Sequence, residues 1–114
     1  MSNLDLLKKL IKIESISPND NGCFDVIKQQ FEGLDFSFEE ISYKNIRNLV
    51  ITNGNSKNKT FCFLGHTDVV PPGPESEWTV PPFSGEIIDN KIYGRGAADM
   101  KGGVACFISA LKEF

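Results

Sequence analysis

Thr60-Phe61-Cys62-Phe63-Leu64-Gly65 is the stretch on which the fold turns. Four consecutive apolar residues between turn signals form the pattern of a strand buried on both faces, as in the middle of an α/β sheet. Just past it stands His66, the one histidine of the chain. Residues 69 to 84 then change character, punctuated by Pro71, Pro72, Pro81 and Pro82. A loop of this length is unusual in a compact domain, and long ordered loops are more often functional than short ones. Beyond it, Glu86-Ile87-Ile88 and Lys91-Ile92-Tyr93 flank Asp89-Asn90 as the arms of a tight hairpin. After Gly94-Arg95-Gly96 a helix is predicted to begin near Gly102, with Val104, Phe107, Ile108 and Leu111 on its buried face.

On the N-terminal side, Ser2 and Asp5 have capping-box spacing, and Leu7, Leu10 and Ile11 follow at helical intervals. This predicts a helix over 3–13, ended by Ser15-Ile16-Ser17-Pro18. A second helix is expected from about Asn21 to Glu32, with Phe24, Ile27 and Phe31 on one face and Gly33 as stop signal. Residues 34 to 53 turn strand-like, through alternating Phe36 and Phe38 and then Asn48 to Thr52, and residues 54 to 58 read as a polar turn. The fold class that follows is α/β: a central, mostly parallel sheet flanked by helices, in one domain and cut inside a helix. The last helix reaches Lys112-Glu113-Phe114 without a cap, a glycine or a proline. The expectation is a fragment with exposed apolar surface on helix 102–114 and on the sheet edge, and hence a tendency to aggregate.

Composition excludes several classes of function. A net charge of -3, with no basic patch, argues against a nucleic-acid partner. The apolar run Phe61 to Leu64 is far too short to cross a bilayer, and Met1 to Asp5 lacks the basic and apolar regions of a signal peptide. Cys23, Cys62 and Cys106 are odd in number and form no CxxC pair. They read as small core residues in a reducing cytoplasm rather than disulfide partners or zinc ligands.

Two clusters carry candidate chemistry. His66 lies at the carboxyl end of the expected strand, where open α/β sheets bind ligands. Imidazole is a common metal ligand, and metal-bound histidines usually give their other ring N–H to a carboxylate. Asp68, two residues on, falls on the same side of an extended backbone and is placed to orient the ring. The alternative is a surface His-x-Asp pair. The second cluster is Gly94-Arg95-Gly96-Ala97-Ala98-Asp99-Met100-Lys101-Gly102-Gly103. Asp99 precedes the helix, so it is either a functional carboxylate or an N-terminal cap. A phosphate loop is disfavoured, since the spacing is not that of a Walker motif and Asp99 would repel an anion. Lys101 and Arg95 read as solvated charges near a turn, Met100 as core, and Trp78 with Pro81, Pro82 and Phe83 as packing for the proline loop.

Taken in order, Gly65-His66-Thr67-Asp68-Val69-Val70-Pro71, Trp78-Thr79-Val80-Pro81-Pro82-Phe83 and the run Gly94 to Gly102 resemble the dinuclear zinc aminoacylase and carboxypeptidase family. The resemblance spans essentially the whole chain and is densest over residues 63 to 110. It implies that His66 binds one zinc, that Asp99 bridges two, that the Asp99-Met100 peptide is cis, and that Asp68 is the partner of His66. Cobalt or manganese is an alternative metal. It further implies a water activated by the zinc pair, a glutamate general base, a small acylated amino-acid substrate and a homodimer built through a second domain. The base and the remaining ligands are expected beyond Phe114, so residues 1–114 read as the N-terminal part of a catalytic domain. Two ligands fall short of the roughly four each zinc needs. The 114 residues alone are therefore expected to bind zinc weakly and to be inactive.

Overall fold

The computed structural model describes residues 1–54, 57 and 59–114. Helix α1 spans Asn3–Ile11 and starts on the expected capping box: the Ser2 hydroxyl accepts from the Asp5 N–H at 3.1 Å, and the Asp5 carboxylate accepts from the Ser2 N–H at 3.3 Å. Helix α2, Cys23–Gln29, is shorter than expected at both ends. Its N-terminus is held by Asp20, whose carboxylate accepts from the N–H groups of Gly22 and Phe24. Helix α3, Gly102–Glu113, begins where the sequence places it. Leu6 and Leu10 of α1, Cys23 and Ile27 of α2 with Phe31 just beyond it, and Val104, Ala105 and Ile108 of α3 form the core. Burial pushes the Cys23 thiol up from its ordinary pKa. All three cysteines are free, and Cys62 and Cys106 are exposed rather than core.

Strands β1 (Ser37–Tyr43) and β2 (Ile46–Thr52) pair antiparallel from Ser37↔Thr52 to Tyr43↔Ile46. Strands β3 (Ile87–Ile88) and β4 (Lys91–Ile92) form a second, minimal hairpin. Asp89 and Asn90 both take positive φ, 49° and 62°, as a two-residue turn matched to strand twist requires. The polar turn read at 54–58 lies partly outside the described residues.

The expected parallel sheet is not there. Among the described residues there are two separate two-stranded antiparallel sheets, and the one parallel contact is an isolated bridge, Ile16↔Val69. Residues 61–64 belong to no strand, and Phe61 and Leu64 are 85% and 89% exposed. The reason is physical: burial on both faces needs strands on both edges and layers above and below. Here α3 meets the segment through Phe107, which stacks on Phe63 with ring centroids 4.2 Å apart. Nothing among the described residues covers Leu64 on the opposite face. The chain is α/β in content, with a helical core and peripheral hairpins.

The proline loop is ordered by one aromatic side chain. Trp78 Nε1–H donates to the Pro72 carbonyl at 2.9 Å, so the indole fastens the loop as the packing reading expected. Val80 and Pro82 of the same loop are buried.

Candidate metal centre

The segment 66–69 is held against the N-terminal third of the chain. Val69 N–H donates to Ser15 O at 2.9 Å, Ser17 N–H donates to Val69 O at 3.0 Å, and the Ser15 hydroxyl donates to Thr67 O at 2.8 Å. The second cluster closes onto this segment through Gly96, which has φ +84° and lies so near Val69 that a Cβ would meet Cγ1 at 2.4 Å. Gly94 is equally tight, with 2.4 Å to the Ile11 side chain. The residues from Ala97 to Lys101 form a wide π-type turn in which Asp99 and Met100 leave helical geometry, and the Asp99-Met100 peptide is cis.

This close approach brings His66 and Asp99, 33 residues apart, into contact: Nε2 lies 3.1 Å from Oδ1. On the other side of the ring, Nδ1 lies 3.0 Å from the backbone carbonyl of Asp68 and 3.4 Å from its carboxylate. A carbonyl only accepts, so Nδ1 carries the proton and donates. The orienting partner is thus chiefly the Asp68 main chain, with the carboxylate beside it. In neutral imidazole this leaves Nε2 as a bare lone pair facing an ionised, acceptor-only carboxylate. Two acceptors at 3.1 Å call for a proton or a cation between them. The Asp99 side chain is 89% exposed, and no side chain caps α3, so Asp99 does not take the capping role.

Imidazole nitrogen and carboxylate oxygen suit zinc, and bonds of about 2.0–2.2 Å to each can meet at one ion across this separation. The pair therefore fits a shared metal, but it does not complete a site. No group of three or more His, Cys, Asp or Glu is arranged for a metal ion among the described residues.

Two cations were misjudged from the sequence. Lys101 is not solvated: it is fully buried, and its ammonium donates to Leu10 O at 2.7 Å and Ile13 O at 2.9 Å. These carbonyls end α1, so the lysine ties the turn that carries Asp99 to the core helix. Burial lowers its pKa from the ordinary lysine value. Arg95 is half-buried, its guanidinium 5.2 Å from the centroid of the Trp78 ring. It lines a cleft of about 330 Å³ together with Ser17, His66, Asp68 and Asp99. The flanking Gly94 and Gly96 were the one local signal for the close packing of Arg95.

Residues 62–114 match the family described as Peptidase family M20/M25/M40. The chain is 49% identical over 111 residues to a succinyl-diaminopimelate desuccinylase of Psychromonas ingrahamii, covering 97% of this chain and 29% of that protein. It is 49% identical over 114 residues to the enzyme of the same name from Rhodospirillum centenum, covering 96% and 29%. Among solved structures, human carnosine dipeptidase 1 superposes with a TM-score of 0.82 at 26% identity, over 98% of this chain and 28% of that one. An M20 family metallo-carboxypeptidase, Sso-CP2 from Sulfolobus solfataricus, gives 0.80 at 31% identity, over 99% and 27%. The chain thus spans about 29% of the length of the curated relatives it matches. With nearly every residue aligned at this identity, and the same backbone course in two solved relatives, the chain is homologous to a part of succinyl-diaminopimelate desuccinylase, and its residues 62–114 carry the match to the M20/M25/M40 peptidase family.

Proposed function

We propose that the protein carrying this chain hydrolyses the amide bond of N-succinyl-LL-2,6-diaminopimelate, releasing LL-diaminopimelate and succinate on the route to lysine. The observation that carries the reading is the approach of His66 Nε2 to Asp99 Oδ1 at 3.1 Å, an arrangement that calls for a proton or a cation between them and that suits a shared metal ion. In this reading His66 holds one ion and Asp99 holds two, and Asp68 is the catalytic partner that orients His66. Zinc is the metal proposed, with cobalt as a substitute. A zinc pair held by His66 and Asp99 together with further ligands would supply Lewis acidity for the amide carbonyl and lower the pKa of water.

The chain's own residues do the positioning. The Asp68 carbonyl keeps the His66 proton on Nδ1, so that Nε2 presents its lone pair. Lys101 anchors the Asp99 turn, and Gly96 lets that turn approach Val69. Residues 1–114 are proposed to be the N-terminal part of the catalytic domain, with the general base, further ligands and a dimerisation domain outside them. A cytoplasmic homodimer completes the reading. No helix among the described residues is long and apolar enough to cross a membrane.

The motifs near the metal serve amide hydrolysis in general, so a sister activity such as acetylornithine deacetylation is the competing reading. Turnover of succinylated and acetylated amino acids by the full-length gene product separates the two. The expected result is metal-dependent cleavage of the succinylated substrate, lost in His66→Ala by at least about a thousandfold. Equal turnover in His66→Ala, or preference for the acetylated substrate, would overturn the proposal.

A further inference from the structure

Arg95 is the side chain of the cleft to which amide hydrolysis gives no task. Its main chain is fixed, with the N–H donating to Pro82 O at 2.7 Å and tight glycines on both sides. Its guanidinium lies against the Trp78 ring, and that indole is itself pinned by its bond to Pro72 O. Among the described residues the guanidinium has no ion pair and no hydrogen bond, and its Nε is buried without an acceptor. Of the residues lining the cleft, Arg95 is the one permanent cation, while Asp68 and Asp99 are engaged with His66.

A guanidinium over an aromatic face at this distance still has donors to offer, in a planar fork that matches a carboxylate. A partly buried donor set without acceptors is costly until one arrives. We infer that Arg95 is the anion-binding residue of this cleft, taking a free carboxylate of the substrate in a two-point, charge-assisted pair beside the metal ligands. The inference rests on the amide-hydrolysis reading, and it adds substrate selection to it. An acylated amino acid with a dicarboxylic acyl group offers two sources of carboxylate: the end of the acyl chain and the amino acid itself.

The test uses the metal-loaded, full-length gene product with Arg95→Met and Arg95→Lys. Calorimetric titration with succinate and with diaminopimelate reads carboxylate binding independently of turnover. The expected result is weaker binding of one of them in Arg95→Met, on the order of tenfold to a hundredfold, with a partial effect in Arg95→Lys. Metal content and Tm should stay at wild-type values. KM rises for succinylated but not acetylated substrate if the acyl carboxylate is held, and for both if the amino acid's carboxylate is held. If Arg95→Met does not fold, Arg95→Lys decides, since it keeps the charge and loses the fork. Wild-type affinity for both ligands in the variants, loss of metal in both variants, or no carboxylate binding by the wild type would each overturn the inference. A wild type that binds succinate through Arg95 but cleaves no acylated amino acid sinks the hydrolase reading and leaves this one standing. Cleavage unaffected by Arg95 does the reverse.

Discussion

Leu10 and Leu64 are the same side chain in two regions with opposite fates. Leu10 is fully buried where α1 meets α2 and α3, and the carbonyl of its own peptide is capped by Lys101. Leu64 is 89% exposed in an extended segment without a strand neighbour. Around Leu10 three helices cover one another, each needing only a single apolar stripe. Around Leu64 the chain offers one helix, through the Phe63–Phe107 stack, whereas the β1–β2 hairpin sets Leu49 and Ile51 against the core and Phe38 near Phe31. That hairpin is tied to α2 by Lys28–Glu40 at 2.7 Å, by Arg47–Asp20 at 3.6 Å and by Arg47 over the Phe24 ring. The Lys28–Glu40 pair is partly exposed and contributes little, and an isolated two-stranded hairpin is marginal in water. A helix brings its backbone partners with it, whereas a strand borrows them from neighbours.

The contrast can be broken by mutation, and the largest effect is expected at its centre. Leu10→Ala should cost about 2–5 kcal/mol in urea denaturation, through lost burial and the cavity left behind. Next, Lys101→Met removes the two charge-assisted hydrogen bonds to the Leu10 and Ile13 carbonyls, which keep only their backbone donors, Ile13 N–H and Ser15 N–H, and should cost about 1–3 kcal/mol. Its pH dependence has a definite sign. Burial lowers the folded-state pKa of Lys101, so the unfolded chain holds more protons as pH rises toward the ordinary value of 10.5. The wild type should therefore gain stability relative to Lys101→Met as pH climbs toward 10.5, and lose that gain as pH falls through the folded value. A flat difference between pH 8 and 10.5, measured by urea titration, would mean that Lys101 is not desolvated.

Smaller still, Ser2→Ala removes the cap of α1 and should cost about 1 kcal/mol at neutral pH. Hydrogen bonds from Ser2 hold the Asp5 carboxyl below its usual 3.8, so their contribution is present above that pH and lost as pH falls through the lower folded value. The cost of Ser2→Ala should therefore shrink in acid, which thermal unfolding at neutral and acidic pH can test. The smallest effect belongs to Leu64→Ser, expected within about 0.5 kcal/mol of wild type and with less binding of an apolar dye. A cost at Leu64 comparable to that at Leu10 would show that the extended segment packs against something, and the contrast between the two regions would fail.

The legible parts of this molecule are those with local causes. The capping box at Ser2 and Asp5, the Asp89-Asn90 turn and the Gly102 helix start each depend on a few neighbouring residues, and each appears where the pattern puts it. The mis-read parts depend on distant ones. Phe61 to Leu64 have the pattern of a central strand, yet a pattern cannot provide the flanking strands. Lys101 looked like a surface charge because its partners, Leu10 O and Ile13 O, are 91 and 88 residues away. Asp20 was passed over as the anchor of α2, although an Asx residue before a glycine and a helical run is a readable signal. At the candidate centre, His66 and Asp68 are joined by two-residue spacing, whereas Asp99 was linked to them by resemblance alone.

By itself the sequence determined the caps, the turns, the helix faces and the chemical types at the centre: one imidazole, two carboxylates after it in the chain, and glycines able to pack closely. Only the tertiary structure decided that His66 Nε2 faces Asp99 Oδ1 at 3.1 Å, that Lys101 is buried, that Arg95 lines the same cleft, and that residues 61–64 lie open. Backbone conformation is governed by neighbours within about a helical turn. Burial and the meeting of side chains are set by whichever distant segment packs against them, and a linear pattern carries no record of that segment.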